Sequence, residues 1–327
     1  MIENWKASLD NGGFAGGILM DLSKAFDTIN HKLLIAKLHA YGFSTDALEI
    51  VYDYLSDRWQ RTKINTSFSS WSKILCGMPQ GSVLGPKFFN IYINDLFFLF
   101  VKTRVCNLAD DTTPYACDVD LPTLLRNLES DTKSAIMWFD ANNMKLNQSK
   151  CHALMSGSPE HLWIKVGGHV IMESYEEKLL GITIDKELKF NSHLSDICKK
   201  ASAKVTALAR LVKLIPFDKK KLLMNAFIES QFSYCPLLWM FCSRELNRKI
   251  NHIHEKGLRL VYQDYTTSFK DLLAKDESVC IHHRNVQKVA IEMFKVKNNL
   301  SPKIISDLFQ LTSNSKVRKS FFRLGLM

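Results

Sequence analysis

The sequence predicts an α/β domain of the α+β kind, an antiparallel sheet with packed helices, followed by a mainly α-helical region. Three observations predict it. Up to Asp185, short apolar runs of strand length alternate with amphipathic stretches of helical period. Beyond Phe190 only long helical patterns remain. The charge divides at the same place, because residues 1–185 hold 17 lysines and arginines against 21 acids while residues 186–327 hold 26 against 12. A chain of 327 residues, 46% hydrophobic, can bury more than one core. The expected division is therefore 1–185, 186–311 and a basic tail, 312–327, that reads as linker or disorder.

Taken in order, residues 17–22 form an apolar run carrying Asp21 at its end, which predicts a buried strand with a carboxylate at its edge. A helix is predicted over 31–41, with Asn30 as N-cap, Leu34, Ile35 and Leu38 on its apolar face and Gly42 as its stop. A second begins after Thr45 and ends near Leu55. Residues 61–65 and 72–75 read as strands. After the turn Gly77-Met78-Pro79-Gln80-Gly81, a long helix is predicted from Ser82 through Phe100. Residues 105–109 and 113–116 flank Asp110-Asp111 and read as a hairpin with acids at its tip. A strong amphipathic helix follows over 121–141, then strands over 151–156, 164–172 and 178–185. The remaining helices are expected near 192–214, 218–232, 244–262 and 281–298.

The longest purely apolar run, 96–101, is far shorter than the roughly 18 residues a membrane span requires, and no amino-terminal leader pattern is present. No membrane role is expected, and the scattered cysteines, none in a CxxC pair, suit free thiols in an intracellular, reducing compartment. Cys235, Cys242, His252 and His254 come closest to a zinc pattern, but their spacing misses the finger signatures. The acidic first part suits cation binding, and the basic second part suits a phosphate backbone. In the latter, Lys199, Lys200, Lys204, Arg210 and Lys213 recur at helical spacing opposite Val205, Leu208, Leu211 and Leu214. A run such as Lys219-Lys220-Lys221, taken alone, reads rather as a solvated helix face.

Asp21 and Asp110-Asp111 each sit at the end of an expected strand, so adjacent strands would bring three carboxylates to one sheet edge. Such a cluster is strongly repulsive unless cations neutralise it. Two magnesium ions about 4 Å apart, bridged by such carboxylates, are a standard means of activating a hydroxyl and stabilising a leaving phosphate. Mg2+ prefers oxygen ligands and retains waters, so a few aspartates and substrate phosphates suffice.

The segments Asp21-Leu22-Ser23-Lys24-Ala25-Phe26-Asp27, Gly77-Met78-Pro79-Gln80-Gly81-Ser82-Val83-Leu84-Gly85-Pro86 and Leu108-Ala109-Asp110-Asp111-Thr112 occur in this order. They resemble motifs A, B and C of reverse transcriptases, in wording that looks like the non-LTR (LINE-type, jockey-like) retrotransposons. Leu146 to Lys150 is similar to motif D, and Lys178 to Ile182 to motif E, the primer grip. The resemblance covers about residues 16–310 and implies a palm followed by a helical thumb. An RNA-dependent RNA polymerase would usually have Gly where Ala109 stands and an acid where Phe26 stands. A two-metal nuclease would leave the Gln80-Gly81 turn unexplained.

The resemblance implies that Asp21 and Asp110 are the principal metal ligands, with Asp111 close to the second site and the Leu22 carbonyl contributing. The ions would be two Mg2+, with Mn2+ a possible substitute. Phe26 would lie under the sugar and exclude a 2′-hydroxyl; alone, it reads as a core ring beside a strand. Gln80 and Gly81 would lie against the incoming nucleotide and template, and Leu180 and Gly181 against the primer. Lys150 would protonate the pyrophosphate, with Lys145 its nearest competitor and a solvated lysine the bland alternative. The implied activity is RNA-directed DNA polymerisation, with an RNA template, a DNA primer and deoxynucleoside triphosphates as partners, in nucleus or cytoplasm. Leu108 departs from the family's usual aromatic before Ala-Asp-Asp. The resemblance also starts almost at motif A, so the fingers are expected to be missing. The alternative reading is a truncated, inactive remnant that only binds nucleic acid.

Overall fold

The computed structural model describes residues 1–158, 162–166, 168–240 and 242–307, so the predicted tail 312–327 lies outside the described residues. Helix α1 (Ile2–Asp10) leads into strand β1 (Phe14–Leu19), and helices α2 (His31–Ala40) and α3 (Thr45–Leu55) follow. Four two-residue strands come next, β2 (Trp59–Gln60), β3 (Lys63–Ile64), β4 (Ser67–Phe68) and β5 (Ser72–Lys73), with β2 pairing β5 and β3 pairing β4. Helix α4 (Gly85–Ile93), strands β6 (Arg104–Leu108) and β7 (Asp111–Asp118), helix α5 (Leu121–Ala141) and strand β8 (His152–Ser156) then complete the main sheet. That sheet is antiparallel, in the order β6-β7-β1-β8. Two hairpins follow, β9 (Trp163–Val166) with β10 (His169–Met172), and β11 (Glu176–Leu179) with β12 (Ile182–Asp185).

From Phe190 the described chain is helical: α6 (Asn191–Leu211), α7 (Phe217–Leu223), α8 (Pro236–Met240), α9 (Arg244–Tyr262), α10 (Phe269–Lys275), α11 (Ile281–Lys297) and α12 (Lys303–Ser306). The chain divides into two compact units, Met1–Lys189 and the part beginning at Phe190. Among the described residues no helix is long and apolar enough to cross a membrane. All eight cysteines carry free thiols.

Local chemistry accounts for the clearest boundaries. The Asn30 side chain accepts from the Leu33 N–H, and Ser44 accepts from Ala47 N–H, so α2 and α3 begin where an oxygen satisfies an otherwise unpaired donor. Asp120 caps α5 through Thr123 N–H, and Pro122 fits the first turn because its missing N–H is not needed there. Along α5 the buried Leu124, Leu128, Thr132, Ala135, Ile136 and Phe139 fall on one stripe that faces the sheet. The central strand β1 is covered on both faces. A side chain at Gly16 would strike Met155 and Leu128 of α5, and one at Gly17 would press on Trp5 of α1 at 3.2 Å.

Three expectations about the helices are corrected. The helix predicted from Ser82 through Phe100 starts only at Gly85 and gives way to a 3-10 stretch over Asn94–Leu99. Pro86 tolerates only the first turn, and the Ser82 hydroxyl instead accepts from Gly85 N–H at 3.0 Å. The helix predicted over 218–232 widens into a π turn at Met224–Ile228 and tightens to 3-10 at Glu229–Phe232. This carries the Glu229 carboxylate to His254 at 3.0 Å and to Arg284. Leu211 and Leu214, expected on the packed face of α6, are exposed, since the helix ends at Leu211; Val205 and Leu208 are buried.

Candidate active site

The register of β1 builds the site. Gly17 pairs with Tyr115, and the ladder continues beyond the strand as a bridge between Met20 and Thr112, with Met20 N–H donating to Thr112 O at 3.0 Å. Asp21 follows that bridge directly, as Asp111 precedes its partner Thr112, and the charge of Asp21 acts on Asp111. Asp111 opens β7 and pairs with Leu108 across a two-residue turn made of Ala109 and Asp110. Ala109 has φ +55°, the conformation that primed hairpin turns demand at their first central residue and that usually selects glycine. Asn107 Nδ2 holds this turn, donating to Ala109 O and Thr112 Oγ1 at 2.9 Å and to Asp111 O at 3.3 Å. The loop into β6 is fixed in turn by Asp131 of α5. Its buried carboxylate accepts from the N–H groups of Lys102 and Thr103 and from the Thr103 hydroxyl, all within 2.9 Å.

The acids feel one another. Partial desolvation at the sheet end, then the charges of Asp110 and Asp21, push the Asp111 carboxyl above the usual carboxylate range. Like charges opposite each other in a ladder are destabilising, and a cation relieves them. Among the described residues no three carboxylate, imidazole or thiolate groups close around one point. Asp21, Asp110 and Asp111 thus form no closed cation cage by themselves. This fits Mg2+, which takes one or two carboxylates and fills its remaining positions with water and phosphate oxygens.

Beyond Asp21 the chain runs antiparallel to residues 145–147. Ser23 N–H donates to Lys145 O and Asn147 N–H to Asp21 O, both at 2.8 Å, around a bridge between Leu22 and Leu146. The Leu22 carbonyl accepts neither bond. This pairing brings Lys150 Nζ to 3.7 Å from Asp21 Oδ2, whereas Lys145 contributes its backbone carbonyl.

Phe26 stacks on Phe89 with ring centroids 4.2 Å apart. It lines a recess of about 330 Å³ together with Pro79, Gln80, Gly81, Ser82, Gly85 and Pro86. The two segments are laced together. Met78 N–H donates to Phe26 O and Gly77 N–H to Ile29 O at 2.8 Å, and Gln80 Nε2 donates to Asp27 Oδ1 at 3.0 Å. Gly81 has φ +77° with open space where a Cβ would point, so it is required for its backbone conformation. Leu180 and Gly181 sit elsewhere, at the two-residue tip of the β11–β12 ladder, both with positive φ.

The family model for reverse transcriptase (RNA-dependent DNA polymerase) matches residues 6–184, more than half of the chain. The chain belongs to the reverse transcriptase family. Its similarity to curated reverse transcriptases runs through mobile elements. The RNA-directed DNA polymerase from mobile element jockey of Drosophila melanogaster is 26% identical over 216 residues, 63% of this chain and 23% of that protein. The probable RNA-directed DNA polymerase from transposon BS, also of Drosophila melanogaster, is 24% identical over 288 residues, 81% of this chain and 31% of that protein. The chain thus spans about a quarter to a third of the length of these relatives. Among solved structures, a telomerase from Candida tropicalis with a TWJ fragment of telomeric RNA matches 99% of this chain and 52% of that one, at 12% identity and a TM-score of 0.46.

For a reverse transcriptase, the motif reading overlooks the residues that hold the acids in place. Asn107 carried a signal, since Asn is uncommon in strands and needs a local reason there. Asp131 carried none, because its partners lie 28 and 29 residues away.

Proposed function

We propose that this chain carries the catalytic centre of an RNA-directed DNA polymerase that extends a DNA primer on an RNA template with deoxynucleoside triphosphates. What supports this reading is the nearness of three acids at the end of one ladder, where the charges of Asp110 and Asp21 both act on Asp111. Asp21, Asp110 and Asp111, with the Leu22 carbonyl, would hold two Mg2+ ions, or Mn2+ in their place. Bound there, the ions would favour ionisation of the primer 3′-hydroxyl and neutralise charge on the departing pyrophosphate.

The chain's own groups do the positioning. Phe26, fixed by its stack on Phe89, presents a ring that leaves no room for a ribose 2′-hydroxyl. Gln80 and Gly81 form the opposite wall of the recess and receive the base and sugar of the incoming nucleotide. Lys150, already drawn to Asp21, supplies the cationic acid for the pyrophosphate oxygen. Leu180 and Gly181 offer a tight turn to the primer backbone. The basic helices after Phe190 follow the template-primer phosphates.

The test is primer extension on an RNA template with Mg2+ and deoxynucleotides, comparing the chain with Asp110→Asn. Losing one charge-stabilising group at the reaction centre should lower the rate by on the order of a hundredfold or more. Equal extension by both proteins would refute the metal-ligand assignment.

A further inference from the structure

Between α3 and the Gly77 turn, the ladders β2–β5 and β3–β4 form one hairpin. It contains a bulge. Gln60 pairs with Ser72, and Thr62 O accepts from Ser69 N–H, so Arg61 alone stands opposite Ser70 and Trp71. Residues 59–73 are exposed throughout. A free-standing two-stranded hairpin is marginal in water, and this one displays large rings: Trp59, Phe68 and Trp71 are each at least half exposed. Cations are interleaved with them. The Arg61 guanidinium lies 4.0 Å from the Phe68 centroid and 4.6 Å from that of Trp71, and Lys63 lies 5.4 Å from Phe68. Arg58, Arg61, Lys63 and Lys73 face one acid in this stretch, Asp57, which Lys73 engages at 3.3 Å.

We infer that this hairpin binds single-stranded nucleic acid, its rings stacking on unpaired bases while Arg61 and Lys63 meet phosphates. A groove of cations alternating with accessible rings is the arrangement that holds single strands without reading their sequence. A duplex hides its base faces, and an apolar protein surface would strip water from Arg61 and Lys63 without pairing them. At the bulge, Gln60, Thr62, Ser69, Ser70 and Ser72 line a polar recess suited to sugar and phosphate oxygens. Strand β5 ends at Lys73, four residues before Gly77, so a single strand bound here is held by the segment that leads into the Gln80-Gly81 turn. Calling that strand the unpaired template rests on the polymerase reading; the binding itself does not.

Fluorescence anisotropy with a labelled twelve-nucleotide oligo(U) and a blunt duplex of equal length tests this on the full chain. Trp71→Ala should weaken single-strand binding by about fivefold or more, leave duplex binding unchanged and keep the salt dependence intact. Trp71→Phe should restore most of the affinity. Arg61→Ala should reduce the slope of log K against log salt by about 0.7. The anisotropy is read without deoxynucleotides and without turnover, so a failed polymerase reading leaves this result standing. Single-strand binding unaffected by Trp71→Ala, as expected if the hairpin serves a protein partner, would overturn the inference. So would equal losses on duplex, or a salt slope unmoved by Arg61→Ala.

Discussion

Gly77 and Gly81 lie four residues apart in one turn, both at positive φ, and the structure assigns them different costs of substitution. Alanine at either position meets the left-handed backbone penalty, about 1–2 kcal/mol. At Gly81, φ +77°, a Cβ would find nothing within 4 Å, so that penalty is the whole effect. At Gly77, φ +88°, the Cβ would stand 2.7 Å from Asp27 O, 2.8 Å from its Cα and 2.9 Å from its carbonyl carbon. Backbone cannot swing aside as a side-chain end can, and overpacking of this kind adds about 1–3 kcal/mol. Gly77→Ala should therefore destabilise by about 2–5 kcal/mol and Gly81→Ala by about 1–2 kcal/mol. Urea unfolding measures the difference, with midpoints falling and the slope unchanged. Gly77→Ala should also lower primer extension, because the same contact carries the Met78 to Phe26 hydrogen bond. Equal midpoints for the two variants would refute the claim that the close approach of Gly77 to Asp27 links the two segments.

Three further outcomes follow from the charges and the turn. Asp111 has a raised carboxyl pKa, so its ionised form is disfavoured in the folded state relative to the unfolded one. Asp111→Asn should raise the melting temperature at pH 7, the gain should vanish below about pH 4, and Mg2+ should raise that of the parent more than that of the variant. Burial raises the pKa of Glu229, but hydrogen bonds and charge from His254 and Arg284 outweigh it and hold the carboxyl at about 2. Its stabilisation is present above the ordinary 4.5 and lost as pH falls toward 2. Glu229→Gln, which leaves the half-buried Arg284 guanidinium without its carboxylate, should cost on the order of 3 kcal/mol in denaturant unfolding at pH 7. Ala109→Gly removes the positive-φ strain at the hairpin tip and should stabilise by about 0.5–1 kcal/mol once the added freedom of the unfolded chain is subtracted; a lower unfolding midpoint would contradict the turn geometry.

What the sequence made legible were features with local causes. Helix α5 runs over Leu121–Ala141 as predicted, since Asp120, Pro122 and a sustained apolar stripe mark it from within. The hairpin around Asp110-Asp111 was legible for the same reason, as two extended runs with a short acidic turn. Helix α1 was not anticipated, because its nine residues carry no side-chain cap at the start and bury only Trp5. The π turn before Glu229 was invisible because its cause lies at His254 and Arg284, 25 and 55 positions away. The lacing of Phe26 to the Gln80 turn depends on contacts of the same long range.

The apposition of acids lies between these two cases. The sequence places Asp21 at a strand end, but only register decides what it faces, and register is decided by the residues around it. Ile18, Met20 and Leu22 are buried in the core, whereas Asp21 shares the opposite parity with Gly17 and Leu19. A slip of one residue along β7 would turn these three apolar side chains out of the core and offer Met20 or Leu22 to Asp111. Burial of three side chains at about 1.5–3 kcal/mol each greatly exceeds the repulsion between two partly solvated carboxylates. The core thus forces together charges that would otherwise separate. Asn147 and Thr112 then fix the backbone on both sides of Asp21, leaving a counter-ion as the simplest remaining source of relief.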